Sequence, residues 1–595
     1  MRSPAPALLL SVSLLAQAPR FTVRDAIQAE WMRQPLSFTE AQTKALPPAD
    51  RARLERTLQR IGAPGGPALL PPELDKPTLG LWEARAATAR TPEQRFTALF
   101  FLNRLKSPKA LAALAGLSPA DAQTWPKHLH LEAALATARL NGSETSSELR
   151  AFLEALQKAG KVDPVRAQAA RLRLLMAGRE AGLLPPVKAT PGSLLALMDA
   201  WNRAPWPQRR ELALSAFSSL SPQSPAWPRL GIVPPSQEVL DRSCVGILSR
   251  LAEGVPSPAP AEAFRVSGAP WPCSAHPLAL WYGFQALAKV EAPLPGLRPA
   301  LAKVPPLGAS SPLLLGVLLP ALRRQDPQQA DRVRAQLLAG PEAIPRAAAI
   351  EDLPTAPEDL ASLTRRVWRD DQFETQQTLI HSYARWKMAP EDQKAQLQPW
   401  LQHPNWTCRW EAHQALLKLD PRTPWPGAPN PTPADQAILD EAIRLAERGK
   451  PVRLRLSLSG RRRLILRLDP RVAPMNVANL VLLARKGYFN GHLVPRVVPD
   501  FVVQMGSPVD TMDGGPGHTV RCENSLDWYG PGSVGVALSG KDTGGSQFFI
   551  TTNATPHLTG RYTRLGEVED PDRALKILDD LELGAKILSI TVLEP

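Results

Sequence analysis

Beyond residue 450 apolar and polar positions alternate one by one, whereas before residue 420 apolar positions recur at every third or fourth place. The change of period divides the chain into two parts. Val452, Leu454 and Leu456 alternate with Arg453, Arg455 and Ser457, and Leu464, Leu466 and Leu468 resume the alternation after Ser459-Gly460. A strand turns successive side chains to opposite faces, so 452–457 and 463–468 are predicted to pair as a hairpin. After Pro474, the helical spacing of Val477, Leu480, Val481 and Ala484 predicts a helix that stops at Gly487. A second short helix is predicted over 574–578 and a last strand over 587–593. Many short strands with two helices predict a closed β-barrel over 450–595.

Upstream, Leu and Ala recur with helical spacing in 96–114, 129–140, 148–156, 165–175, 313–322 and 330–338. Prolines fall mostly between these runs, where they end helices. The expected architecture is therefore multidomain, with an all-α irregular solenoid over 19–419 preceding the barrel. Its clearest unit, 397–419, resembles a HEAT repeat in its first helix, its HPNW turn, the basic Arg409 and a second helix carrying Ala412, Ala415, Leu416 and Leu419. The opening Ala389-Pro390-Glu391-Asp392 has a counterpart in Ala356-Pro357-Glu358-Asp359, so the repeat pattern is read over 357–419. A Pro-rich connector, 420–433, is expected to be stiff and to hold the two parts at a distance. A connecting helix within 434–449 then leads to the barrel.

The first 18 residues begin with a basic Arg2, continue with an apolar run over 5–16 and end in Ala16-Gln17-Ala18. This is the layout of a secretory signal peptide, and it predicts an exported protein, periplasmic or secreted. The run is too short for a permanent membrane span, and no integral span is expected elsewhere. Export would let Cys244 and Cys273 pair, with buried thiols as the alternative, while Cys408 and Cys522 sit apart. The net charge of +14 is diffuse, and the 15 tryptophans often adjoin prolines as turn-packing residues, so no nucleic-acid partner is expected. His492, His518 and His557 lack metal-ligand spacing, Ser546 lacks a paired base, and no P-loop or dinucleotide fingerprint occurs. Neither metal nor cofactor is implied.

The unusual chemistry lies in GGSQFFITTNATPHLTGRY, 544–562. Phe548, Phe549 and Ile550 suit a short buried strand, with Gln547 and Phe549 on one face and Phe548 on the other. In PRVVPDFVVQMG, a regular strand through Phe501 would put Val502 and Gln504 on the face opposite Phe501, so a bulge or twist is expected there. With Asp513 to Gly517 reading DGGPG, these segments resemble the cyclophilins, the peptidyl-prolyl cis-trans isomerases. The resemblance implies that Arg496, Gln504 and Phe549 carry catalysis, with Arg496 donating to the prolyl carbonyl or approaching the prolyl nitrogen. It implies that Gln504 and Gln547 fix the peptide backbone, and that Phe501, Val502, Phe549, Leu558 and Tyr562 line a proline socket. Ala537 and Leu538 fall where residues preceding proline bind, and His557 falls where some members carry tryptophan.

Rotation about an X-Pro bond faces a barrier of roughly 18–20 kcal/mol and requires no nucleophile. An apolar socket and a cation favouring the twisted amide suffice. Val494-Pro495 replaces Phe-His, Val502 methionine, Leu538 asparagine and Tyr562 histidine, while Met505 and Ser507 interrupt Gly-Gly-Asp, where positive φ could be needed. These departures imply slower catalysis than in a typical member. The implied partners are proline-containing unfolded or extended polypeptides, with a possible protein partner on the helices. The alternative is a non-catalytic scaffold whose barrel only binds proline-containing segments; the retained Arg496 speaks against it.

Overall fold

The computed structural model describes residues 20–32, 38–61, 77–121 apart from 106, 108–112 and 115, and 312–593 apart from 426–431, 499–500 and 582–583, with positions 151, 155 and 281 in addition. The predicted signal segment, the Cys244/Cys273 pair and the predicted helices at 129–140 and 165–175 lie outside the described residues.

The first helices are α1 (Val23–Met32), α2 (Glu40–Ala45), α3 (Pro48–Ile61), α4 (Leu79–Thr88) and α5 (Pro92–Arg104). A second group holds α6 (Pro312–Gln325), α7 (Pro327–Ala339), α8 (Ala343–Glu351), α9 (Leu360–Trp368), α10 (Phe373–Arg385), α11 (Pro390–Leu397) and α12 (Trp406–Leu419). Within it α8 packs on α6, α10 on α8 and α12 on α10. Tyr383, Trp400 and Leu379, all at 0 % exposure, centre the core of this stack.

Caps set the helix boundaries. Proline opens α11 at its first turn, as the sequence predicts, and Asn405 caps α12 by accepting from the Thr407 N–H. The expected start at Pro357 moves to Leu360, because the Asp359 carboxylate accepts from the Ser362 N–H and so fixes the N-cap three residues later than the sequence pattern implied. Two buried arginines tie the turns together. Arg346 forks onto Asp370 and donates to the carbonyls of Gly340 and Pro341, and Arg409 donates to the carbonyls of His403 and Pro404.

His403 is buried between these turns, with Nδ1 accepting from the Asn405 N–H at 3.1 Å and Nε2 3.3 Å from the Trp368 carbonyl. Only the neutral ring satisfies both contacts, and burial pushes its pKa from 6.5 down to about 4. A histidine depressed in the folded state contributes stability that is complete above its unfolded pKa and is lost as pH falls toward the folded one. Between pH 6.5 and about 4 the loss should approach about 3 kcal/mol. Glu374, raised to about 7, acts with the opposite sign. The His403 share is therefore read as the difference between wild type and His403→Gln in denaturant unfolding, and equal acid sensitivity of the two would contradict it.

Helix α13 (Pro433–Arg448), closed by Gly449 at φ 65°, leads into the sheet. The strands are β1 (Val452–Leu458), β2 (Arg462–Leu468), β3 (Arg496–Val498), β4 (Val502–Met505), β5 (Ser533–Val536), β6 (Phe548–Thr551), β7 (Arg564–Val568) and β8 (Ile587–Leu593), with α14 (Pro474–Arg485) and α15 (Pro571–Asp579) between them. They form one antiparallel sheet in the order β3-β4-β6-β5-β7-β2-β1-β8. The predicted hairpin pairs Val452 with Leu468 and Leu458 with Arg462, and its alternate residues are buried. The expected closed barrel is instead a curled half-barrel, since end strands β3 and β8 share no ladder. The segments just before them do exchange hydrogen bonds, Val494 N–H to Ala585 O and Gly584 N–H to Val494 O. Pro495 has no N–H with which to carry that pairing into β3.

The two parts are not held at a distance. The Trp406 indole donates to Asp542 Oδ2 at 3.0 Å, the Thr407 hydroxyl donates to Asp542 O, and the Arg521 guanidinium lies 3.8 Å over the Trp406 ring. The connector folds back at once, with Trp425 against Trp406, Trp410 and His413. Trp406→Phe keeps an aromatic side chain but removes the indole donor to the buried Asp542 carboxylate, at an expected cost of about 1–3 kcal/mol. Limited proteolysis at the junction should quicken correspondingly, and an unchanged cleavage rate would count against this contact.

Candidate functional site

Strand register assembles the site. Arg496 pairs with Gln504 across β3 and β4, Gln504 with Phe549 across β4 and β6, and Phe549 with Gly535 across β6 and β5. Of the bulge or twist expected around Phe501, no bulge appears among the described residues of the β3–β4 and β4–β6 registers. Phe501 sits in a turn, its N–H bonded to Val498 O, and β4 starts one residue later. Val502 and Gln504 therefore share the outer face, while Val503 and Met505, both at 0 % exposure, enter the barrel core. In β6 the alternation is as predicted, with Phe548 in the core and Phe549 in the site.

Val502, Phe549 and Leu558 form a small apolar cluster with Tyr529, bordered by Phe501, Ala537 and Tyr562. These are the residues that the resemblance assigned to a proline socket, brought together with one unforeseen member. Tyr529 is fully buried and stacks on Phe549 at 5.9 Å between centroids. Gly535 makes room for both side chains, because a Cβ there would lie 2.5 Å from Phe549 Cζ and 2.5 Å from the Tyr529 hydroxyl oxygen. Nothing in DWYGPG marked Tyr529 as a pocket residue, since its partner is distant in sequence.

A directed hydrogen-bond relay borders the socket. Arg496 Nη1 donates to Gln504 Oε1 at 3.3 Å, Gln504 Nε2 to Gln547 Oε1 at 3.0 Å, and Gln547 Nε2 to the carbonyls of Met512 and Gly514. The Arg496 guanidinium also lies 5.7 Å over the Phe501 ring. The arrangement places a half-buried cation at the mouth of an apolar pocket, with amides aligned alongside. Met505 does not strain this turn; the positive φ, 98°, belongs to Gly506.

Two of the predicted residues lie at the margins. Leu538 packs toward the barrel core and lines a recess beside the socket. His557 stacks on Phe501 at 5.4 Å and, on its other side, on Phe100 of α5 at 5.2 Å and 4°. The helical part thus touches the rim of the socket, through a contact that joins residues too far apart for sequence spacing to reveal. Among the described residues no helix is long and apolar enough to cross a membrane.

Residues 453–591 match the family model described as "Cyclophilin type peptidyl-prolyl cis-trans isomerase/CLD". A peptidyl-prolyl cis-trans isomerase of Synechococcus elongatus is 42% identical over 120 residues, 20% of this chain and 82% of the relative. Peptidyl-prolyl cis-trans isomerase B of Bacillus subtilis is 46% identical over 103 residues, 17% of this chain and 72% of the relative. A Helicobacter pylori peptidyl-prolyl cis-trans isomerase is 41% identical over 120 residues, 20% and 73% of the two chains. With a relative at this identity matched over most of its own length, and with the strand register bringing the socket and its cation together, the chain belongs to the cyclophilin family of peptidyl-prolyl cis-trans isomerases.

Proposed function

We propose that this protein isomerises X-Pro bonds in exported client polypeptides, and that its helical part, read as an irregular HEAT-like solenoid, recruits them. The observation that carries the catalytic part is the Arg496 guanidinium beside the Val502, Phe549 and Leu558 socket, linked to Gln504 and Gln547. The socket grips the proline ring. Arg496 then favours the twisted amide, whose nitrogen becomes pyramidal and more basic, while the two glutamines hold the peptide backbone. No group of the protein forms or breaks a covalent bond.

The recruiting role is supported by the succession α6, α8, α10 and α12, each packed on the one before, and by the contact of this part with the barrel. A helical surface fixed beside the pocket raises the local concentration of a bound chain. Export rests on the Ala16-Gln17-Ala18 pattern at the N-terminus.

Two measurements test this reading. The N-terminus of the protein purified from its own cells should begin at Pro19, and an intact Met1 in a cytosolic fraction would overturn export. A photo-crosslinker at exposed Arg365 of α9 should capture an unfolded, proline-containing protein, and catalysis on that client should exceed catalysis on a tetrapeptide. Equal efficiency on both substrates, without crosslinking, would remove the recruiting role.

A further inference from the structure

A recess of about 80 Å³, open to solvent, adjoins the socket and is shared by both parts of the chain. On the barrel side it is lined by Gln504 and Gln547, the residues of the relay, and by Ala537 and Leu538. On the other side stand Gln372 and Glu374, at the start of α10. The helical wall is fixed in place. Gln372 Oε1 accepts from the Gly515 N–H at 2.9 Å while its Nε2 donates to Gly515 O, and the buried Arg346 holds Asp370 two residues earlier.

The wall carries a charge opposite to that of the chain. The protein has a formal net charge of +14, yet among the described residues no Lys or Arg lines the recess. Glu374 and Asp371 do, with Asp513 close behind, and His518, also in the lining, is kept neutral by burial. Glu374 Oε2 is buried and has no hydrogen-bond partner among the described residues. Burial, with Asp513 and Asp371 nearby, raises the Glu374 carboxyl to about 7. A cationic side chain entering the recess would supply both the missing donor and the missing counter-charge.

We propose that Glu374 makes the helical part a specificity wall, selecting clients with a Lys or Arg side chain shortly before the X-Pro bond. The inference rests on the reading that Ala537 and Leu538 hold the residues preceding proline. It goes beyond recruitment, because it places a residue of the helices inside the substrate groove.

The test uses the full chain and three tetrapeptides that differ only at the residue preceding X-Pro, which is lysine, leucine or glutamate. The assay runs one unit above the value of about 7 for Glu374, where the group is ionised. The expected kcat/KM order is lysine, leucine, glutamate, with lysine ahead of leucine by roughly tenfold, the scale of one charge-assisted hydrogen bond. E374Q should bring the lysine-to-leucine ratio toward unity, while E358Q, which removes the same charge from an exposed site away from the recess, should leave the ratio intact. Should E374Q fail to fold, D371N at an exposed position of the same wall carries the test, and it should lower the ratio in part. Equal rates for lysine and leucine, or a preference that survives E374Q or, in its place, D371N, would overturn the proposal. Absence of isomerisation with all three peptides would instead refute the isomerase reading on which it stands.

Discussion

Arg496→Ala is expected to lower kcat/KM for X-Pro isomerisation by about a hundred- to a thousandfold, the usual loss when one preorganised donor to a transition state is removed. The apolar cluster of Val502, Phe549, Tyr529 and Leu558 is held together by side-chain packing, so the socket should persist in the variant. Peptide binding should therefore fall far less than turnover. That split separates a transition-state cation from a residue that merely shapes the pocket, for which KM would rise and kcat hold. Arg496→Lys should recover only part of the rate, since an ammonium keeps the charge but loses the planar fork that faces Gln504 and the Phe501 ring. Full activity in Arg496→Ala, measured by a coupled peptide assay or by exchange spectroscopy, would show that Arg496 is not the transition-state cation, whereas peptide binding without isomerisation by the wild type would return the chain to the binding-scaffold reading.

How far the sequence revealed this site depended on how local each contact is. The β1–β2 hairpin was legible because a strict alternation of Leu with polar residues admits one face only, and that face is buried in the structure. Helix α14 was legible from Pro474 and Gly487, whose fixed and left-handed backbones bracket it. The strand carrying Gln504 was misread by one residue, because the bond from Phe501 N–H to Val498 O makes a turn that no alternation pattern signals. Curvature was misjudged for a similar reason. Closure of a sheet depends on which end strands meet, and Pro495 intervenes where they would. Phe100 and Glu374 were invisible as site residues, since Phe100 meets His557 and Glu374 shares a recess with Gln547 only after the helical part has docked.

The site is braced at Gly506, whose replacement by alanine should destabilise the barrel by more than about 4 kcal/mol, through backbone overlap at a position of special conformation. Its φ of 98° is unfavourable for any side chain, and a Cβ would lie 2.3 Å from Ser546 O and 3.2 Å from Gln547 Cα. Neither neighbour is a flexible tip that can turn aside. The Ser546 hydroxyl donates to Gly506 O at 2.7 Å, so the two segments are already drawn together at this point. Relief requires the end of β4 to move away from 546–547, which would pull Gln504 from Gln547 and unseat the relay that ends at Arg496. Thermal unfolding and turnover should thus fail together in Gly506→Ala. Met505→Gly would restore the residue common in the family, yet it should lower stability too, by about 2–5 kcal/mol, because the Met505 side chain fills the barrel core. An alanine at 506 with unchanged melting and unchanged kcat/KM would show that β4 can shift without disturbing Gln504, and the coupling between this turn and catalysis would then be wrong.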